Sequence, residues 1–154
     1  MVKVDLKKLK KLREETSAGI ADCRTALEES NNDYNKALEW LKKHGIAKAV
    51  KKGDRETSQG IIEAYIHGNG RIGAMVELLC ETDFVARTDE FKNLAHEIGM
   101  QAAAMKPVDV EGLLKQEYIR DSSMTIGQLV KSVIGKLGEN IVIKRFKVFE
   151  IGQE

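Results

Sequence analysis

Residues 61–80 read Ile-Ile-Glu-Ala-Tyr-Ile-His-Gly-Asn-Gly-Arg-Ile-Gly-Ala-Met-Val-Glu-Leu-Leu-Cys. Two runs of period two flank the glycines. In the first, Ile62, Ala64 and Ile66 alternate with Glu63, Tyr65 and His67; in the second, Ile72, Ala74, Val76, Leu78 and Cys80 take alternate positions. Successive side chains of a strand point to opposite faces, so each run predicts a strand. Asn-Gly between them tolerates positive φ and predicts a tight turn. The stretch is a β-hairpin. Gly68, Gly70 and Gly73 also match G-x-G-x-x-G. That fingerprint needs a helix after the loop, whose N-terminal amides meet a pyrophosphate, and here a strand follows. A kinase-type glycine loop is excluded by the missing strand lysine, H-R-D and D-F-G.

Upstream of the hairpin the period is helical. Leu6, Leu9 and Leu12 recur at helix spacing, Ile20, Cys23 and Leu27 form a second stripe, and Tyr34, Ala37, Leu38 and Leu41 a third. Thr16 or Ser17 is a candidate cap for the second helix, Asp33 for the third, and Gly45 is placed to end it. Three such stripes bury against one another, which predicts a three-helix module over residues 1–45. Residues 46–59 are polar and lysine-rich and read as a linker with at most a turn or two of helix.

Downstream, Phe91, Leu94, Ala95, Ile98, Ala102 and Met105 share one helical face from Thr88 onward, and Pro107 stops the helix. After a less regular stretch, Thr125 and Gln128 have capping-box spacing, and the helix they open closes at Gly138. Residues 140–151 are β-like, and their apolar phase slips between Ile143 and Phe146, which predicts a bulge near Lys144. The expected fold class is α+β: the helical module, then residues 60–154 as a core with an antiparallel sheet of about three strands packed with helices.

A formal net charge of +1 gives no global field for nucleic acid or an anionic membrane. No apolar run reaches the ~20 residues of a bilayer span. The amino terminus lacks a long apolar region and a cleavage site, so a cytosolic protein is expected. Cys23 and Cys80 lie in apolar patterns and read as buried reduced thiols. His44, His67 and His96 show no metal-ligand spacing with them, no nucleophile–base constellation is visible, and no metal, cofactor or covalent catalysis is expected. The basic face of the first helix (Lys7, Lys8, Lys10, Lys11, Arg13) leaves open an RNA- or ribosome-associated module, although aromatic residues for base stacking are scarce.

Cys80-Glu81-Thr82-Asp83-Phe84-Val85-Ala86-Arg87 joins a clear strand to a clear helix, where a short polar loop is the norm. It places Phe84 and Val85 there instead. Either Phe84 folds back as a lid on the core, or it stands out as an apolar anchor beside a carboxylate. Glu81-Thr82-Asp83-Phe84-Val85-Ala86-Arg87 resembles the TDFV signature of the elongation factor Ts family. Leu12-Arg13, Ala18-Gly19, Asp22-Cys23 and Ala26-Leu27 resemble that family's helical module, which has a ubiquitin-associated-like fold. Arg71-Ile72-Gly73, Thr88-Asp89-Glu90-Phe91 and Gly138-Glu139-Asn140-Ile141 fall where the family has similar runs.

The resemblance implies a guanine nucleotide exchange factor that binds elongation factor Tu, both GDP-bound and nucleotide-free, and performs no covalent chemistry. Arg13, Ile20 and Ala21 would contact its GTPase domain. Thr82, Asp83, Phe84 and Val85 would push toward the GTPase's magnesium site, with Phe84 as wedge and Asp83 as polar support, releasing GDP. Ser17 and Ala21 stand where a glycine and a bulkier apolar residue are commoner in the family. Longer members repeat the core subdomain, whereas this chain has room for one copy. A homodimer and a one-to-one complex with the GTPase both stay open.

Overall fold

The glycines of residues 68–71 do turn the chain. In the computed structural model, which describes residues 2–16 and 18–153, β1 (Gln59–His67) pairs antiparallel with β2 (Ile72–Cys80), and His67 lies opposite Ile72. Gly68 and Gly70 supply the left-handed backbone (φ 47° and 81°), and Asn69 does not. The turn therefore has four residues and rests on two glycines, not on the Asn-Gly pair. β5 (Ile141–Glu150) lines the other side of β2, giving the order β1-β2-β5. Arg145 lies opposite Glu77 and Ile143 opposite Leu78, so Lys144 is the extra residue of a bulge, at the position that the phase slip predicts.

The strand faces divide unevenly. Ala74, Val76, Leu78 and Cys80 of β2 are buried, with Ile141 and Ile143 of β5. Their partners set the orientation of β1. Tyr65 is opposite Ala74 and Glu63 opposite Val76, so these two face inward. The Tyr65 ring meets His96 edge-on at 5.4 Å, and His96 lies 3.6 Å from Glu63. The apolar alternates of β1 go outward: Ile62 is 62% exposed and Ile66 66%. Here apolarity does not mean burial, because register overrides pattern.

α5 (Asp89–Met105) covers the inner face of the sheet with Phe91, Leu94, Ala95, Ile98 and Ala102. The Thr88 hydroxyl accepts the Phe91 N–H at its start, and Lys106 ends it in left-handed conformation before Pro107. α7 (Ile126–Leu137) opens with the reciprocal Thr125–Gln128 capping box and closes on left-handed Gly138. The intervening stretch is more ordered than its sequence suggests. It holds α6 (Val110–Lys115), capped by Asp109, and a small hairpin of β3 (Glu117–Tyr118) and β4 (Asp121–Thr125). Buried Gln101 pins this hairpin: its amide donates to the Glu117 carbonyl (3.0 Å), and its oxygen accepts the Ile119 N–H (3.0 Å).

α1 (Leu6–Thr16), α2 (Ile20–Glu29) and the first half of α3 (Tyr34–Lys52) enclose Leu12, Cys23, Ala26, Leu27 and Ala37, in keeping with a ubiquitin-associated-like module. Asp33 caps α3 through the Lys36 N–H (3.1 Å). Thr16 does not cap α2. Its hydroxyl donates to the Leu12 carbonyl, the cap position is Gly19 without a side-chain bond, and Ser17 lies outside the described residues. Gly45 does not end α3, which runs on through part of the stretch read as linker. The helix packs there against α7: a Cβ on Gly135 would lie 2.6 Å from the Gly45 Cα, so glycine at 135 lets the two helix backbones touch. Farther along α3, Ala49 joins the main core beneath the sheet. Among the described residues, no helix is long and apolar enough to cross a membrane.

Candidate functional site

The turn after β2 is built from its polar groups upward. Thr82 is extended and starts a four-residue helix, α4 (Asp83–Ala86), in which the Val85 N–H reaches the Thr82 hydroxyl at 3.4 Å. The Ala86 N–H donates to the Thr82 carbonyl (3.3 Å), and the Cys80 thiol donates to the same carbonyl (3.1 Å). Burial pushes the Cys80 thiol up to about 11, and the Glu139 carboxylate adds to this, so the neutral donor form is the one present. Ala86 is buried, Val85 is half-buried against the core, and Asp83 forms an ion pair with Arg87 (3.1 Å). The aromatic ring stands outside as well. Phe84 is 77% exposed. The lid alternative does not hold.

A second layer fixes the turn from 57 residues away. Glu139 accepts the Thr82 N–H (2.9 Å) and the Glu81 N–H (3.2 Å) on Oε1, and the Thr82 hydroxyl (2.7 Å) on Oε2. Glu81 answers by accepting the Asn140 N–H (2.8 Å) and lies 3.6 Å from Arg55. The Asn140 amide, itself buried, donates to the carbonyls of Arg55 (2.8 Å) and Gly53 (3.3 Å), while Lys52 donates to the Gly138 carbonyl (2.9 Å). Sequence reasoning missed Glu81, Glu139 and Asn140 as parts of this site. The available signal was an acid two residues past the end of α7 and another directly following β2, but only the fold shows that they meet.

The other predicted site residues lie on the helical module. Arg13 and Ile20 line one shallow depression with Leu6, Leu9, Lys10 and Glu14, and Ile20 is 57% exposed, outside the stripe it was read into. Ala21 is exposed beside it without lining the depression. On the basic face of α1, Lys8 donates to the Asn32 carbonyl, Lys10 lies 3.9 Å from Glu14, and Lys11 sits over the Tyr34 ring. Gly73, the last glycine of the apparent fingerprint, lies within β2.

A family profile described as elongation factor TS matches residues 81–154, beginning at this turn. Elongation factor Ts of Thermotoga neapolitana is 42% identical over 196 residues, an alignment covering 99% of this chain and 100% of the relative. The chain belongs to the elongation factor Ts family. The protein of that name from Caldanaerobacter subterraneus is 43% identical over 190 residues (94% of this chain, 95% of the relative), and that of Rippkaea orientalis 39% over 199 residues (99% and 80%). These aligned spans exceed the chain's own 154 residues, so the relatives carry chain that this elongation factor Ts homologue lacks. The family is one of translation elongation factors. This chain's helical module, three-stranded sheet and exposed-phenylalanine turn all lie within the shorter length.

Proposed function

We propose that the chain is a guanine nucleotide exchange factor for elongation factor Tu, acting in the cytoplasm without covalent chemistry. The observation that carries this reading is Phe84: a large apolar ring held outside the core on a turn in which the N–H groups of Thr82, Val85 and Ala86 are all bonded. An exposed Phe on an ordered turn contributes nothing to its own fold, and a partner pocket gives it a use. In this proposal Thr82, Asp83, Phe84 and Val85 press on the GTPase near its magnesium ion, and loss of that ion frees the diphosphate. Arg13, Ile20 and Ala21 form a second contact. Residues 1–45 are then a docking module and residues 60–154 the core that delivers the wedge.

Energetics argue for two contacts. Nucleotide weakening and factor weakening are reciprocal. A ten-thousandfold shift requires about 5.5 kcal/mol of differential binding, whereas burying one Phe gives about 1.5–3 kcal/mol. The ring alone is insufficient, and the helical module supplies further binding. The test is stopped-flow release of a fluorescent GDP analogue from elongation factor Tu. Wild-type protein is expected to accelerate release, and Phe84→Ala to keep much of the affinity while losing most of the acceleration. Release at the wild-type rate with Phe84→Ala refutes the wedge.

A second observation supports pairing of two chains. The outer face of the sheet carries Ile62, Ile66, Met75 and Phe149, all exposed, with Ile151 beyond β5. A patch of this kind commonly marks an interface. Light scattering of the protein, alone and with the GTPase, distinguishes a homodimer from a one-to-one complex. The RNA-binding reading has less support, because three cations of the α1 face have partners within the protein.

A further inference from the structure

We propose that Glu139 is a positioning residue that acts on exchange through Phe84, by holding the turn in the one conformation that presents the ring. The inference rests on the exchange reading above and deepens it. α4 has four residues, far short of the length at which a helix sustains itself. Phe84 is exposed and so gains little packing that could orient it. Its direction is set by the backbone of residues 81–86, and Glu139 holds the start of that backbone through the Glu81 and Thr82 N–H groups and the Thr82 hydroxyl.

The chemistry of the clamp is specific. A carboxylate can only accept hydrogen bonds. The Thr82 hydroxyl proton must therefore point at Glu139 Oε2, which leaves a lone pair of Thr82 Oγ1 to accept the Val85 N–H. The N-cap of α4 thus depends on a charge located beyond α7. Glu139 is fixed in turn. It sits between Gly138, whose carbonyl takes the Lys52 ammonium, and Asn140, which is 3% exposed and bonded to the carbonyls of Gly53 and Arg55. The residue that orients the turn is anchored to the end of the helix that comes from the docking module.

The experiment measures GDP-analogue release from elongation factor Tu over a range of factor concentrations, separating the maximal rate from the half-saturating concentration. Glu139→Ala removes all three bonds. Glu139→Gln keeps an oxygen for the two N–H groups but presents an amide donor to the Thr82 hydroxyl, so it is the conservative variant and is the more certain to fold. The expected order of maximal rates is wild type, Glu139→Gln, Glu139→Ala. The last should fall at least about tenfold, the scale of a lost bond to a charged group, with the half-saturating concentration little changed. In a Phe84→Ala background, Glu139→Gln should cause no further loss, since its effect passes through the ring. Maximal rates at the wild-type level in both Glu139 variants overturn the inference, as does a rise in half-saturating concentration alone, or a full additional loss in the Phe84→Ala background. Failure of the wild-type protein to accelerate release overturns the exchange reading itself, and is told apart by that control.

Discussion

Replacing Gly135 by alanine tests how the helical module is joined to the core. The new Cβ would lie 2.6 Å from the Gly45 Cα, 2.8 Å from its carbonyl oxygen and 2.9 Å from its carbonyl carbon. All three are backbone atoms of another helix and cannot swing aside. Overpacking costs about 1–3 kcal/mol, and a backbone obstacle puts this case at the upper end. Alanine returns about 1 kcal/mol of helix propensity over glycine, leaving a net loss of about 2 kcal/mol. At about 2–4 °C per kcal/mol for a chain of this size, the midpoint should fall by about 4–8 °C. The mirror substitution behaves differently. A Cβ on Gly45 meets the Gly135 Cα at 3.9 Å, an ordinary contact, so Gly45→Ala keeps the propensity gain and should melt about 2–4 °C higher. Thermal unfolding followed by circular dichroism at the helix band measures both. If Gly135→Ala melts at or above wild type, or if Gly45→Ala loses as much as its partner, the close crossing of α3 and α7 is not what joins the two parts.

Cys80 should stay unreactive toward a disulfide reagent at pH 8 in the folded protein, because burial raises its thiol to about 11; prompt labelling at the rate of a free thiol contradicts this. The same shift sets a pH trend. A folded value above the usual 9.0 favours the neutral thiol, so this contribution to stability is intact below pH 9 and is lost as the pH rises toward about 11, which urea titrations across that window would register. Gln101→Leu should cost about 1–3 kcal/mol for the stranded Ile119 N–H and Glu117 carbonyl. It should also speed amide exchange at Ile119, and unchanged exchange there counts against Gln101 as the pin of the small hairpin.

Most devices in which one residue acts through its immediate neighbours were legible, the Thr16 cap and the Asn-Gly turn being the exceptions. The Asp33 cap, the Thr125–Gln128 box, left-handed Gly138 and the bulge at Lys144 are all local devices with fixed spacing, and each is present. Reading failed where a distant partner decided the outcome. Gly45 looked like a stop because glycine commonly ends helices, but α3 runs on past it, and the glycine that the close approach requires is Gly135 on the other helix. The alternation of β1 was correctly a strand signal, yet pairing with β2 turned its isoleucines outward. Residues 108–124 read as irregular because α6, β3 and β4 are too short to show a period, and a buried glutamine orders the hairpin from outside.

The site divides along the same line. Exposure of Phe84 was one of two options legible in the sequence, since an aromatic in a strand-to-helix turn must either fold back or project. Choosing between them needed the support beneath the turn. Only the position of Thr82, before a short apolar run, could be read from the sequence. That its hydroxyl is oriented by Glu139 could not, because the two are 57 positions apart and joined only when β5 comes to lie beside β2. An exposed wedge must keep its direction without help from its own packing, so the groups that hold it have to come from elsewhere in the fold. A turn that projects a large apolar side chain is therefore a reason to look first at the polar groups under it, and here that search leads to Glu139 and, through Asn140 and Lys52, to the end of α3.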